Sequence, residues 1–152
     1  MTREIRIYIA GPLFSVAERE FNKRLAEALK AGVDHCIISL PQKFASTISG
    51  QPGFLERVFE YSLESIRKSD AVVAILDGPD VDAGTCVEIG YAYANKKPII
   101  GIRTDFRSSE DRGVNLMVSK ACTRLIWLQN STTELGDVLN EVVRAVKNLF
   151  ST

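Results

Sequence analysis

The chain contains little histidine and cysteine: one histidine, His35, and three cysteines, Cys36, Cys86 and Cys122, in 152 residues. An odd number of isolated cysteines does not indicate a disulfide framework, and Cys36 and His35 have no further ligands at metal-binding spacing. We therefore expect no metal site, cysteines that pack as small apolar side chains, and His35 in a solvated loop. A Ser-His-Asp or Cys-His mechanism would depend on that one histidine, so the sequence disfavours it.

The chain also lacks net charge and long apolar runs. Lys+Arg and Asp+Glu both number 19, so no electrostatic feature predicts a nucleic-acid partner. No apolar run approaches the ~18–20 residues of a membrane helix, and Arg3, Glu4 and Arg6 place charge where a secretion signal needs apolar residues. These absences predict a cytoplasmic protein without a membrane partner. The length and the 45% of hydrophobic residues fit one domain over residues 1–152.

Apolar runs of strand length alternate along the chain with segments of helical periodicity. This alternation predicts an α/β fold, in which five parallel strands form an open, doubly wound sheet with helices on both faces. Such sheets bind ligands beyond the carboxyl ends of their strands. The predicted strands are residues 5–10, 36–40, 71–76, 98–102 and 123–128, the predicted helices are 16–31, 52–68, 83–95, 114–121 and 133–150, and the longer predicted loops are 42–51 and 103–113.

The most informative segment is 77–92, which leaves the third strand, turns and opens a helix. Asp82 has the position of an N-cap, and Glu88 falls in the second turn, where its side chain leans back over Gly84. A carboxylate left uncovered by a glycine is a competent nucleophile toward a sugar carbon. The helix dipole favours its ionised form, whereas desolvation opposes ionisation. The alternative is that Glu88 pairs with a cation or caps another group, and that Asp82 only caps the helix.

Two other segments place candidate binding residues at strand ends. After the first strand, Gly11 permits a close backbone approach, Tyr8 could bring a hydroxyl to the site, and Phe14 could stack on a flat ring or pack in the core. Asn115 and Met117 follow the charged loop, and Asn115 could equally be a helix cap. The segment after the third strand lacks G-x-G-x-x-G and G-K-[ST], so neither a dinucleotide site nor a P-loop is supported.

Taken together, these segments resemble the nucleoside 2-deoxyribosyltransferase family over residues ~5–120, with the helix-opening D-x-G-T-x-x-E-x-G-x-A run as the most specific part. The resemblance implies a flavodoxin-like fold, no cofactor, and exchange of nucleobases on 2-deoxyribose by double displacement. The partners that it implies are small nucleosides and nucleobases. The matching runs are Tyr8-Ile9-Ala10-Gly11-Pro12-Leu13-Phe14, Ser69-Asp70-Ala71, Leu76-Asp77-Gly78 and Asp82-x-Gly84-Thr85-x-x-Glu88-x-Gly90-Tyr91-Ala92.

The resemblance also implies roles for individual residues. Glu88 matches the nucleophile that attacks the anomeric carbon and holds the sugar covalently. Asp82 matches an aspartate that assists near the nucleophile and the sugar, and Tyr8 matches a tyrosine beside the nucleophile. Gln42 matches a glutamine near the base. We add Asp77, at the end of the third strand, as a substrate-binding candidate, together with Gly11, Phe14 and Gly84.

The segment that contains Asn115 and Met117 matches one that reaches the sugar 5′ end in the site of a neighbouring subunit, which implies a homo-oligomer, a dimer or a dimer-based hexamer. One position departs from the family pattern. Eight residues before Asp70, where the family usually has an aspartate that protonates the departing base, this chain has Ser62. A serine can form a hydrogen bond with a base but is a poor general acid.

The leading hypothesis is therefore a deoxyribosyltransferase, with two alternatives. The first is an N-glycoside hydrolase that uses Glu88 on deoxynucleosides or their 5′-monophosphates, in which Arg103, Arg107 and Arg112 would supply charge for a phosphate or would simply lie in solvated loops. The second is a nucleotide-binding module that has lost catalysis, for which Ser62 is the best support.

Overall fold

Residues 3–107, 113–128 and 130–151 are described by a computed structural model, and within them an all-parallel sheet is flanked by helices. The hydrophobic runs became strands and the amphipathic segments became helices, as the sequence predicted. The strands are β1 (Ile5–Ala10), β2 (Cys36–Ser39), β3 (Ala71–Ile75), β4 (Ile99–Arg103) and β5 (Arg124–Trp127), and the helices are α1 (Val16–Gly32), α2 (Pro41–Thr47), α3 (Phe54–Lys68), α4 (Ala83–Ala94), α5 (Leu116–Ala121) and α6 (Leu135–Phe150).

The strand order is β2-β1-β3-β4-β5, with every pair parallel. This order confirms the predicted doubly wound sheet and is the flavodoxin-like one, in which the chain reverses its direction of growth between β1 and β3. Because ligands bind at such a switch point, the carboxyl ends of β1 and β3 mark the expected position of the site.

Two apolar layers cover the sheet. Ile7 and Ile9 of β1 pack with α1 and α6 on one face, whereas Tyr8 and Ala10 pack with α3, α4 and α5 on the other. Side chains alternate between the faces of a strand, so neighbouring residues of β1 serve different layers. Strands β3 and β4 are buried along their whole length, as expected for strands covered on both faces. Tyr8 thereby faces the layer that contains α4 and Glu88.

The prediction of a loop over residues 42–51 is wrong, because Pro41–Thr47 forms α2. Pro41 occupies the first turn of this helix, where its missing N–H and fixed φ cost nothing. The phenyl ring of Phe44 stacks on the ring of Tyr61 in α3, with centroids 4.0 Å apart. This tertiary contact supports a seven-residue helix that has little apolar periodicity of its own.

The predicted boundaries elsewhere hold to within a few residues, and one difference has a local cause. Helix α3 begins at Phe54 rather than at Pro52, because Gly53 adopts φ +69° and cannot lie inside a right-handed helix. His35 is exposed, as predicted, with φ +53°. The three cysteines are free and partly buried, and burial raises the pKa of Cys36 and of Cys122 to about 11. Among the described residues, no helix combines the length and apolarity needed to span a bilayer.

Candidate active site

The structure brings Tyr8 of β1 and Glu88 of α4 into direct contact. Tyr8 is fully buried, and its hydroxyl donates a hydrogen bond of 2.5 Å to Glu88 Oε1. Glu88 is partly buried, and among the described residues its polar side-chain contact is with this hydroxyl rather than with a lysine or arginine. The alternative of a structural ion pair at Glu88 is therefore wrong for the described chain.

Burial dominates the protonation of Glu88. Desolvation raises the pKa of its carboxyl group to about 7, the charge of Asp82 also raises this pKa, and the hydrogen bond from Tyr8 lowers it. Desolvation is thus the largest of these three influences on the pKa of Glu88. Burial and the charge of Glu88 raise the pKa of Tyr8 far above its usual value, so Tyr8 remains a hydrogen-bond donor.

Asp82 caps α4, as predicted. Its Oδ2 accepts hydrogen bonds from the Thr85 N–H at 2.8 Å and from the Thr85 hydroxyl at 3.1 Å. A Cβ at Gly84 would lie 3.2 Å from this Oδ2, so the glycine makes room for the capping carboxylate. The influence of Asp82 on the pKa of Glu88 indicates that the two acids share one local environment.

Helix α3 places Tyr61 and Ser62 near the Tyr8 hydroxyl. A hydrogen bond from Ser62 lowers the pKa of the Tyr8 hydroxyl, and the nearby Tyr61 raises it. Both side chains are partly buried, and Tyr61 stacks on Phe44 of α2 with an interplanar angle of 3°. Ser62 is thus beside the Tyr8–Glu88 pair, and its contact with a departing base stays a prediction.

Gln42 is bonded to the protein through both polar atoms of its amide. Its Nε2 donates to the Arg19 carbonyl oxygen at 2.9 Å, and its Oε1 accepts from Asn22 Nδ2 at 3.0 Å. The same Asn22 nitrogen donates to the Pro12 carbonyl oxygen at 2.9 Å. Each polar atom of Gln42 therefore has one hydrogen bond to the protein scaffold, and the place of Gln42 near the base stays a prediction.

Asp77 is likewise engaged within the protein. Its carboxylate accepts the N–H groups of Thr104 at 2.6 Å and Asp105 at 2.9 Å, together with the Thr104 hydroxyl. The Gly78 N–H in turn donates to the Asp105 carboxylate at 3.2 Å. Asp77 thus joins the loops that follow β3 and β4, and these contacts show a structural role where we expected a substrate contact.

Arg103 and Arg107, which were expected to supply charge for a phosphate, bind other groups of the protein. Arg103 is fully buried and donates to the carbonyl oxygens of Leu76 at 2.5 Å and Gly78 at 2.7 Å. Arg107 forms an ion pair with Asp105. Arg112 lies outside the described residues. Arg103 and Arg107 thus hold the loops at the strand ends together. For Arg103, this structural role differs both from phosphate binding and from a place in a solvated loop.

The loop after β1 contains Gly11, where a side chain would clash with β3, and Phe14, whose ring is exposed. A Cβ at Gly11 would lie 2.8 Å from Ile75 Cδ1, so the glycine permits a close approach to β3. Phe14 has 75% of its surface exposed, so the alternative that it packs in the core is wrong. Its exposed ring remains a candidate for stacking on a heterocycle.

Asn115 and Met117 lie at the start of α5. The Asn115 Oδ1 accepts from the Met117 N–H at 2.9 Å, which confirms the helix cap at α5, and Met117 is 78% exposed. Both residues line a pocket of about 570 Å³ whose walls also include Ile89 and Tyr93, but neither Glu88 nor Tyr8. The walls of this pocket thus include Asn115 but neither member of the Tyr8–Glu88 pair.

Sequence reasoning did not identify Asn22, Thr85, Phe44 or Tyr61 as parts of the site. Asn22 carried a usable signal, because it lies on the buried stripe of α1 that is otherwise apolar, and a buried polar residue is informative. Thr85, Phe44 and Tyr61 carried no such sequence signal. A threonine after a helix cap, or an aromatic residue on an amphipathic helix, has many ordinary roles.

A profile of the family described as nucleoside 2-deoxyribosyltransferase matches residues 7–117 of the chain. The chain belongs to this family. Its similarity to the nucleoside deoxyribosyltransferase of Limosilactobacillus fermentum is 29% identity over 143 residues, which covers 87% of this chain and 84% of that protein. The matched range includes both Tyr8 of β1 and Glu88 of α4, which meet at the switch point.

Solved structures support the same fold. A conserved protein from Enterococcus faecalis V583 has a TM-score of 0.71 at 26% identity, covering 94% of this chain and 99% of that one. The 2-deoxyribosyltransferase of Bacillus psychrosaccharolyticus has a TM-score of 0.69 at 22% identity, with 89% and 90% of the two chains covered. This family member and the present chain thus share the flavodoxin-like architecture.

Proposed function

We propose that this protein is a nucleoside 2-deoxyribosyltransferase, which exchanges nucleobases on 2-deoxyribose through a covalent glycosyl intermediate on Glu88. The observation that supports this most directly is the hydrogen bond from the buried Tyr8 to Glu88 Oε1 at the switch point of the sheet. A carboxylate that is poorly solvated, oriented by one donor and not paired with a cation is suited to attack an electrophilic carbon. Membership of the transferase family adds independent support.

The reaction proceeds in two displacements. Tyr8 holds Oε1 of the ionised Glu88, so Oε2 attacks the anomeric carbon C1′. The C1′–N bond breaks, its electron pair remains on the base nitrogen, and the base takes up a proton. Glu88 stabilises the oxocarbenium character of the sugar and then bonds to it. A second base attacks C1′ from the opposite side of the ester bond, releases Glu88 and transfers a proton to the surroundings, with retention overall.

Asp82 and Ser62 have supporting roles in this proposal. One oxygen of Asp82 is used in capping α4, and the other oxygen accepts a hydrogen bond from a sugar hydroxyl. Ser62, beside Tyr8, turns its hydroxyl from Tyr8 to donate a hydrogen bond to the departing base, and water supplies the proton because a hydroxyl is a poor general acid. Phe14, exposed on the loop after β1, stacks against the heterocycle.

We also propose that the site is completed by a second copy of the chain. Large apolar side chains are exposed on α4 and α5, with Val87 61%, Tyr93 64%, Leu116 54% and Met117 78% exposed. Tyr93 and Met117 line the same pocket, and exposed apolar side chains that lie together are typical of an interface. Asn115 would then reach the sugar 5′ end in a neighbouring subunit, as the family resemblance implies.

Incubation with deoxyinosine, with and without adenine as a second base, tests the proposed activity. Transfer yields deoxyadenosine and hypoxanthine, detected by liquid chromatography, and Glu88→Ala is expected to abolish this exchange by at least about 10³-fold, because the nucleophile is lost. Asp80→Ala is the matched control on the preceding loop. Release of free deoxyribose irrespective of the second base would identify a hydrolase instead, and tight nucleoside binding without any turnover would identify a binding module.

A further inference from the structure

Arg103, the last residue of β4, is a fully buried cation that binds backbone carbonyl groups. Its two terminal nitrogens donate to the carbonyl oxygens of Leu76 at 2.5 Å, Gly78 at 2.7 Å and Arg107 at 3.0 Å. Its Nε donates to the Asp105 carbonyl oxygen at 3.2 Å. Because a guanidinium has five N–H donors in one plane, this single group can join the loop before α4 to the segment after β4.

The backbone that leads to Asn115 lies against the same guanidinium. Gly113 has φ +98°, a value that favours glycine, and a Cβ there would lie 3.0 Å from Arg103 Nη2 and 3.1 Å from the Arg107 carbonyl oxygen. No side chain would fit between Gly113 and the guanidinium without displacing one of them. Val114, the next residue, is 1% exposed and packs in the apolar layer of α4 and α5. The position of Gly113 therefore decides where the chain presents Asn115.

The two sides of the guanidinium differ in what else holds them. The Asp77 carboxylate accepts three hydrogen bonds from residues that follow β4, and none of these bonds involves Arg103. Loss of the guanidinium would therefore leave the loop before α4 attached to the end of β4. It would, however, remove the group against which Gly113 lies. The effect on the site is thus expected at Asn115 rather than at Glu88.

We propose that Arg103 is a positioning residue for the shared site, because it fixes the Gly113–Asn115 segment and so sets where Asn115 meets the sugar bound by a neighbouring subunit. The proposal rests on the proposed function, in which Asn115 serves that neighbour. Lysine cannot replace arginine in this role, since its compact ammonium group lacks the planar fork of donors. A change at Arg103 therefore impairs the site of the other subunit and leaves Glu88 of its own chain competent.

Complementation between variants tests in which site Arg103 acts. Arg103→Lys keeps the charge, and alone it is expected to lower kcat/KM for the exchange of deoxyinosine with adenine by about tenfold to a hundredfold, since small misplacements of a binding group are costly. Co-refolded with Glu88→Ala, it supplies an intact Glu88 and receives a well-placed Asn115, so the mixture should recover about a quarter of the activity of the unaltered protein. Co-refolded with Asn115→Ala, it should give no gain, because neither site then has a well-placed Asn115. Arg124→Lys, at an exposed arginine of β5, is the matched control and should keep full activity.

Three results would overturn the proposal. Full activity of Arg103→Lys alone would show that residue 103 has no such role, any gain with Asn115→Ala would show that it acts on Glu88 of its own chain, and no gain with Glu88→Ala would show a general effect on the fold. A reference mixture of Glu88→Ala with Asn115→Ala separates these results from a failure of the proposed function, since no recovery there would reject the shared site itself.

A second variant covers the case in which Arg103→Lys does not fold. Gly113→Ala disturbs the same contact from the other side, because its Cβ would press on the guanidinium and its φ is strained for alanine. It is expected to complement Glu88→Ala and not Asn115→Ala. The opposite pattern in Gly113→Ala would reject the proposal.

Discussion

Glu88 has to satisfy two opposing demands at the level of a single residue. Burial strips water from the carboxylate and strengthens it as a nucleophile, but the same burial raises its pKa to about 7 and reduces the ionised fraction at neutral pH. The hydrogen bond from Tyr8 counters part of this effect. Tyr8 therefore acts on the reaction through the protonation of its neighbour.

Tyr8→Phe is expected to move the acidic limb of the kcat/KM profile to higher pH. The substitution removes the hydrogen bond that lowers the pKa of Glu88, so this pKa rises above about 7, and the nucleophile ionises only at higher pH. A hydrogen bond to a charged group corresponds to a displacement of about 1–2 pH units. The activity should fall more at pH 6 than at pH 8. Tyr93→Phe, at an exposed tyrosine of α4, should leave the limb in place, and an equal loss at both pH values in Tyr8→Phe would contradict this account.

Ser62→Asp is expected to alter the base profile of the reaction or to raise its rate. A carboxylic acid at this position, beside Tyr8, can protonate the departing base, which a hydroxyl does poorly. The measurement is the initial rate over a panel of purine and pyrimidine deoxynucleosides. Ser46→Asp introduces the same acid at an exposed position of α2 and should have no effect. An unaltered profile in Ser62→Asp would place residue 62 away from the base.

At the level of elements, one residue connects the stability of α4 to its chemistry. Asp82 caps the helix through the Thr85 N–H, and its charge raises the pKa of Glu88. The loops that precede α4 are in turn joined to those after β4 by Asp77 and Arg103. The position of the nucleophile therefore depends on a strand-end network as well as on the helix itself.

Comparison of Asp82→Asn with Asp82→Ala separates the two roles of this residue. Asparagine caps a helix as well as aspartate does, so the free energy of unfolding of the Asp82→Asn variant should change little. The Asp82→Ala variant should lose about 1 kcal/mol of this free energy. Both variants remove the negative charge, so the pKa of Glu88 falls and the acidic limb of kcat/KM moves to lower pH in each. Chemical unfolding and pH–rate profiles measure these effects. An equal destabilisation by both substitutions would exclude the capping role.

At the level of the whole molecule, Asn115 lines a pocket whose walls do not include Glu88, and α4 and α5 carry exposed apolar side chains. Both facts agree with sites shared between subunits. The homo-oligomer itself, the single domain over residues 1–152 and the cytoplasmic location stay predictions.

Mixing of two inactive variants tests the shared site. If Asn115 serves the site of a neighbour, Glu88→Ala and Asn115→Ala are each inactive alone, but a dimer of one with the other contains one intact site. Random reassembly of equal amounts makes about a quarter of all sites intact, so the mixture should recover about a quarter of the activity of the unaltered protein. The activity is measured after co-refolding and compared with each variant refolded alone. No recovery, with mixed dimers verified by a tag on one variant, would show that each site is built within one chain.

The strands, most helices and the sheet type were predictable because they depend on local patterns. Continuous apolar runs such as β3 are buried on both faces, and the alternation of strands and helices leaves few topologies. Helix α2 was missed because its stability depends on Pro41 in the first turn and on the contact of Phe44 with Tyr61, which lies 17 positions away. Short helices of this kind are determined by tertiary packing rather than by periodicity.

For the site, the sequence by itself determined which residues were candidates: a tyrosine in a strand, and an aspartate and a glutamate at the start of a helix. Only the tertiary structure decided that Tyr8 donates to Glu88 and that Gln42, Asp77 and Arg103 bond to the scaffold. It also decided that burial sets the pKa of Glu88. Hydrogen bonds and desolvation depend on atoms brought together across the sheet from distant parts of the chain, and no local pattern of residues records those distances.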